Sequence, residues 1–367
     1  MVGLSLPISG LEAAVFLVVQ AGMLIATFAC AEKKNSRILL IIAILISGIA
    51  VGMRFNIGID TPKYAEWVIT LGNRSSFQEA LQWTDHERSF VFLSYFTYKI
   101  TGSYRLLFLV YAIATAGFFL TGLWNFRKEV DIVPSLLYYI VFLQWNSMCN
   151  IMRQSLAMAI IFWGFQFIRD RKTIKYILSV LLATVFHTSA IVSIVLLFWG
   201  ENNSKIGIAM RKCKLFIALG LLFLPRVIIT IMTLISNRYN YLIKTKTGFG
   251  FIVNVVIIIA LYYYVQKNKK RNDRTQYLIF QITVLASIFV ISDYTIGEAA
   301  RFREYFNTIY ILALGYMSPK QTVTRTFKDK SISIYSVISY GYPLLYFALL
   351  INDYAINGMA FSISLLN

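Results

Sequence analysis

Charge is scarce in this chain. Asp, Glu, Lys and Arg make up 14% of its 367 residues, where soluble domains average about 25%. So little charge cannot cover the surface of a water-soluble protein of this size, and an apolar content of 58% excludes disorder for the same reason. Cysteine is nearly absent. The three, at 30, 149 and 213, fall within or beside apolar segments and form no CxxC, which argues against a disulfide framework or a zinc site. Also missing are a P-loop, GxGxxG, HExxH and GxSxG, an acidic DxD-like pair, a repeat of fixed period and a low-complexity linker. The N-terminus has no basic stretch and no small-residue cleavage site, so no removable signal peptide is expected. Acidic residues are few as well, 17 against 35 Lys and Arg, a net charge of +18. In a soluble protein that excess would suggest nucleic acid. Here it raises the question of which side of a membrane the charges occupy.

Long hydrophobic runs are what the chain does have. A bilayer core needs about 20 apolar helical residues, and such runs lie at 10–30, 38–53, 106–124, 133–149, 152–168, 215–235, 251–265, 276–292, 304–318 and 331–351. The expectation is one all-α integral membrane domain spanning 1–367, with about 10–12 transmembrane helices. Basic loops at 31–37, 125–131, 169–175, 201–214, 266–274 and 319–330 hold 22 of the 35 Lys and Arg. Cationic loops stay on the cytoplasmic side. With all six there, parity makes 88–102 re-entrant or interfacial and makes 176–200 enter and return, breaking near His187. Non-helical backbone at that depth is tolerated only where it lines a protein or water cavity. The segment 54–87 becomes the largest outer loop.

On this map polar residues from distant segments share one side. Arg54 ends the second run, Glu87 precedes the 88–102 stretch, Arg153 and Gln154 open a helix, His187 sits at the break, and Arg301 and Arg303 precede Tyr305. The physical reading is an anion site. Arginine inside a bilayer is costly and is usually paired or functional, and its planar fork suits diphosphate. Arg153 also lies near a helix N-terminus, where free amides favour anions. Arg301 and Tyr305, four residues apart, share a helical face while Arg303 points elsewhere. The simpler alternatives are arginines that snorkel to headgroups, a structural His187, and a Glu87 paired with Arg88.

The ordered set R-x3-G-x-D-x3-Y (Arg54, Gly58, Asp60, Tyr64), Glu87, M-R-Q-S-L-A (152–157), F-H-T-S-A (186–190) and R-x3-Y-F (301, 305–306) resembles the EpsG family of Wzy-like polymerases, over about residues 38–318. The resemblance implies a GT-C-type glycosyltransferase of the bacterial inner membrane, making exopolysaccharide or O-antigen at the periplasmic face. Donor and acceptor would be oligosaccharide repeats on undecaprenyl diphosphate, with membrane lipid and a chain-length regulator as further partners, and no nucleic acid. On this reading Arg153 and Arg301 hold the diphosphate, with Arg54 and Arg303 as second choices. Glu87, Asp60 and His187 are the candidate bases, and Tyr64, Gln154 and Tyr305 contact substrate. No cofactor is expected, and fixed guanidinium groups make a metal unnecessary. The rival readings are a lipid-linked oligosaccharide flippase or transporter, which should show two similar halves, an O-antigen ligase, and a structural membrane subunit.

Overall fold

A computed structural model describes residues 5–8, 10–55, 57–199, 249–267, 274–295, 299–318, 334–357 and 359–362. The expected span at 215–235, the loops at 201–214 and 319–330, and residues 236–248 and 268–273 lie outside the described residues.

The chain is an all-α integral membrane protein. Among the described residues four helices are long and apolar enough to cross a bilayer: α1 (Gly10–Lys34), α6 (Arg105–Phe126), α7 (Ile132–Asn150) and α15 (Ile334–Asn357). The others are α2 (Arg37–Gly52), α3 (Thr61–Gly72), α4 (Phe77–Trp83), α5 (Arg88–Thr101), α8 (Met152–Arg169), α9 (Thr173–Phe186), α10 (Leu196–Trp199), α11 (Phe249–Lys267), α12 (Arg274–Thr295), α13 (Ala299–Asn307) and α14 (Tyr310–Met317). One apolar cluster runs from Ala13 to Met317 and joins these helices. The run at 304–318 is not one rod. It is divided between α13 and α14.

A small three-stranded sheet was not expected from the pattern of long apolar runs. Ser5–Ile8 and Arg54–Phe55 both pair antiparallel with Met359–Ser362. The sheet ties the entry to α1, the exit from α2 and the exit from α15 to one end of the bundle. The segment 54–87 lies at that end. At the opposite end three basic loops meet. Arg127 donates to the Asn35 side chain at 2.8 Å, and Arg169 donates to the Asn125 carbonyl at 3.1 Å and to Glu129 at 3.2 Å. The loops at 31–37, 125–131 and 169–175 therefore share a side, as their charge required.

Two irregular segments shape the sheet-bearing end. Residues Tyr139–Ser147 of α7 are π-helical. The wide turns leave side chains to bond carbonyls five residues back, Ser147 Oγ to Phe142 O at 3.0 Å and Cys149 Sγ to Gln144 O at 3.6 Å. Single π turns recur at functional sites. The second segment is the fold-back at His187. α9 stops at Phe186, His187 is extended (φ −154°, ψ 116°), and Thr188–Val195 is a 3-10 helix. Tyr176 OH donates to Ser193 O at 2.8 Å. Eleven α-helical residues carry the chain about 16 Å from Tyr176 to His187. Only a chain that reverses at His187 can bring Ser193 back to that tyrosine, so the expected entry and return is present. Helix α5 has 14 residues, about 21 Å, too short for a simple span.

Candidate functional site

The reversal at His187 meets the N-terminus of α5. Glu87 precedes that helix without capping it through its side chain. Instead its carboxylate takes two partners from far along the chain. Oε2 accepts from Arg153 Nη1 in an ion pair, and Oε1 lies 2.8 Å from His187 Nδ1. The Thr188 amide also donates to Oε1, at 3.3 Å. Side-chain exposure is only 12% for Arg153, 13% for Glu87 and 18% for His187. Burial works to raise the Glu87 carboxyl, but the His187 hydrogen bond and the Arg153 charge overcome it. They bring the pKa from its ordinary 4.5 down to about 2. Glu87 is thus an anion and only an acceptor. His187 Nδ1 must then carry the proton, which leaves Nε2 with its lone pair in the neutral ring.

Arg153 has a specific reason to need an anion. Ile151 (φ −106°, ψ 56°) interrupts the chain between α7 and α8, so Arg153 falls in the first turn of α8. A cation there faces the positive end of the helix dipole. Glu87 offsets part of that cost. An aromatic wall offsets more, with the guanidinium carbon 5.0 Å from the Phe90 centroid, 5.7 Å from Trp67 and 5.8 Å from Tyr64. Cation–π contacts of this kind are worth about 0.5–2 kcal/mol. Arg153 Nε has no hydrogen-bond partner among the described residues. The guanidinium therefore keeps donor capacity beyond Glu87.

Tyr64 and Trp67 belong to α3, whose position depends on Gly58. Gly58 has φ +99°, and a Cβ there would lie 2.2 Å from the Cys149 carbonyl oxygen. Only glycine lets this turn sit on the α7–α8 junction. Asn150 Oδ1 accepts from the Ile59 amide at 2.7 Å, and Thr61 Oγ1 donates to Ile57 O at 2.6 Å and Cys149 O at 3.2 Å. Gly58 therefore frames this turn, and through its carbonyl Asp60 accepts from the Tyr64 amide at 3.0 Å.

Helix α13 closes another side. Gln154 Nε2 donates to the Arg301 carbonyl oxygen at 2.7 Å, and the Tyr305 and Ser189 hydroxyls lie 3.0 Å apart. Arg301 itself is exposed. Of the ten residues singled out from sequence, Glu87, Arg153, His187 and Tyr64 meet directly, while Gln154, Arg301 and Tyr305 border them. Three stand apart. Arg54 is 2% exposed, donates to Val51 O at 3.0 Å and lies over Phe108 at 4.8 Å. Burial pushes its pKa below the ordinary value. Arg303 pairs with Glu304 at 2.6 Å. Asp60 takes the N-cap position of α3 with no side-chain bond to the helix. The pairing of Glu87 with Arg88 weighed from sequence is replaced by the long-range pair with Arg153.

Sequence reasoning passed over Trp67, Phe90 and His86. Trp67 follows Tyr64 by three residues on one face of α3, a spacing that marks neighbours on a helix. His86 packs edge-to-face against Trp67 with ring centroids 4.3 Å apart. Burial first, and then the Arg153 charge, lowers its pKa below the ordinary value. The chain has two histidines, and both lie around Glu87.

Fold and site together define a membrane-embedded helical protein with a part-buried His–Glu–Arg unit at one end of its bundle. The sequence profile of the EpsG family matches residues 37–362, and the chain belongs to that family. The family supports a membrane polysaccharide-polymerase-like role. No curated protein and no solved structure matches the chain.

Proposed function

We propose that the protein is a Wzy-like glycosyltransferase that joins oligosaccharide repeats carried on undecaprenyl diphosphate, at the periplasmic face of a bacterial inner membrane. The observation that carries this reading is Glu87 bridging Arg153 and His187. The bridge sets a base and a phosphate-binding cation side by side. His187 Nε2 takes the proton of the acceptor hydroxyl, a role that typically contributes about 10²–10⁴ in rate. Glu87 fixes the ring and its tautomer, because with a pKa near 2 it is too weak a base to compete. The acceptor oxygen attacks the anomeric carbon of the donor, and the bond from that carbon to the diphosphate oxygen breaks. Arg153 and Arg301 bind the departing undecaprenyl diphosphate, whose growing charge is best met by donors already in place. Arg54 and Arg303 are the weaker candidates, one buried beneath Phe108 and the other held by Glu304. Asp60 serves the turn that carries Tyr64.

The orientation rests on the basic loops gathered opposite the site. The test is the purified full chain with lipid-linked repeats. Glycan ladders formed without any lipid A acceptor are expected. Products that require lipid A would make it a ligase, and movement of lipid-linked glycan without bond formation would make it a transporter.

A further inference from the structure

The Gly58 turn also borders a cavity away from the Arg153 cluster. This cavity, of about 650 Å³, opens between the sheet-bearing end of α7 and α15. Part of its lining is apolar and includes Val141, Leu349 and Leu350. The rest carries Asn146, Asn150, Tyr346, Asp353 and Tyr354 beside Trp145. The π-helical turns shape this polar part. Residues 143–149 are all buried except Asn146, which is exposed. The wide turn lifts one amide out of an otherwise closed wall. Trp145 is fixed from behind, with Nε1 donating to Gln20 Oε1 at 3.3 Å. Asn146 Oδ1 accepts from Asn150 Nδ2 at 3.2 Å. Tyr346 and Tyr354 are half-buried and present apolar ring surface beside the amides.

The chemistry of this wall differs from that of the Arg153 cluster. No Lys or Arg is among its twelve lining residues, and Asp353 is the one carboxylate there. Such a wall offers a diphosphate no cation. It suits a ligand rich in hydroxyls and poor in charge. Amides and a carboxylate exchange hydrogen bonds with vicinal hydroxyls, tyrosine rings cover the apolar faces of sugar rings, and the volume lies in the range of small-ligand sites. We propose that this cavity binds a neutral saccharide segment. Resting on the polymerase reading above, the segment is part of the glycan that meets the reactive end at His187. The geometry supports the pairing of sites, because Asn150 lines the cavity and lies three residues before Arg153. The turn Gly58–Ile59, which lines the cavity too, leads into the helix that carries Tyr64.

The test is equilibrium dialysis of the purified full chain in nanodiscs against the lipid-free repeat-unit oligosaccharide released from the host's own polysaccharide. Saturable binding is expected. Asn146→Ala and Asp353→Asn, both at exposed positions, are each expected to weaken it at least tenfold, while Arg153→Ala leaves it within twofold. Chain extension is assayed on the same variants. Absence of saturable binding, wild-type binding by both cavity variants, or displacement of the oligosaccharide by undecaprenyl diphosphate alone would overturn the proposal. Those results leave the polymerase reading intact if Arg153→Ala still stops extension. Normal extension by Arg153→Ala with binding lost in the cavity variants would have the opposite meaning.

Discussion

The two ends of the bundle both gather arginines and carboxylates, yet they are built for different ends. At the basic end Arg127 and Arg169 spread their donors over the Trp124 and Asn125 carbonyls, the Asn35 amide and the Glu129 and Asp170 carboxylates. Arg127 also lies 4.0 Å over the Trp124 ring. These contacts close loops, and the carboxylates are exposed by 36% and 32% of their side chains. At the sheet-bearing end a single carboxylate serves both a part-buried arginine and a part-buried histidine, and Arg153 Nε has no partner among the described residues. The first arrangement is complete without a ligand. The second has donors to spare in a place where sparing them is costly. Unpaired donors alone do not mark a site, since Arg54 Nε and Nη2 also lack a partner among the described residues; the carboxylate that Arg153 shares with His187 does.

Substitution can sharpen or break the contrast, and the effects should fall in order. Arg153→Ala and Glu87→Gln should have the largest effect. Each removes one partner of a part-buried pair, and each should abolish chain extension, read as a single-repeat glycan on a gel. Arg153→Lys separates charge from fork geometry. It should retain expression and lose most polymer. His187→Ala should lower the rate of extension by about 10²–10⁴ while leaving lipid-diphosphate binding in place, measured as product formed per time by the purified protein. Gly58→Ala should destabilise the chain by about 1–3 kcal/mol through its positive φ and the clash with Cys149, seen as a lowered melting temperature with the same pH dependence. Arg127→Ala should have the smallest effect, about 0–1 kcal/mol, with normal ladders. A loss of polymer from Arg127→Ala equal to that from Arg153→Ala would erase the distinction between the ends.

Proton linkage gives a further handle. The Glu87 pKa is lowered from 4.5 to about 2, so the folded state binds its proton more weakly than the unfolded state. Its contribution to stability is complete above pH 4.5 and is lost as pH falls toward 2. Glu87→Gln should flatten that acid limb of a thermal-melt profile and leave the neutral region parallel to wild type.

Much of this was legible in sequence because membranes punish ambiguity. Apolar length located α1, α2, α6, α7, α8 and α15 closely. Charge in the loops demanded the reversal at 176–200, which the Tyr176–Ser193 bond reflects. Glu87, Arg153 and His187 stood out because polar groups are expensive there. Other features leave no such trace. Phe90 and Trp67 look like ordinary membrane aromatics until the fold turns them toward Arg153. The π-helical turns of α7 lack a proline or glycine signal between 139 and 147, and the strand at 54–55 is two residues long, too short for any periodicity. Arg54 is a second-choice site residue in the sequence because it ends an apolar run and opens the R-x3-G-x-D-x3-Y motif. What the sequence could not convey is that its position sits under Phe108, away from the shared carboxylate.

The most direct measurement is the structure of the full chain with undecaprenyl diphosphate bound. The account predicts diphosphate oxygens within about 4 Å of the Arg153 guanidinium, with Arg301 on the same headgroup and His187 beside the bond to be made. A diphosphate held by Arg127 or Arg169 at the basic end, with Arg153 still bound only to Glu87, would contradict it.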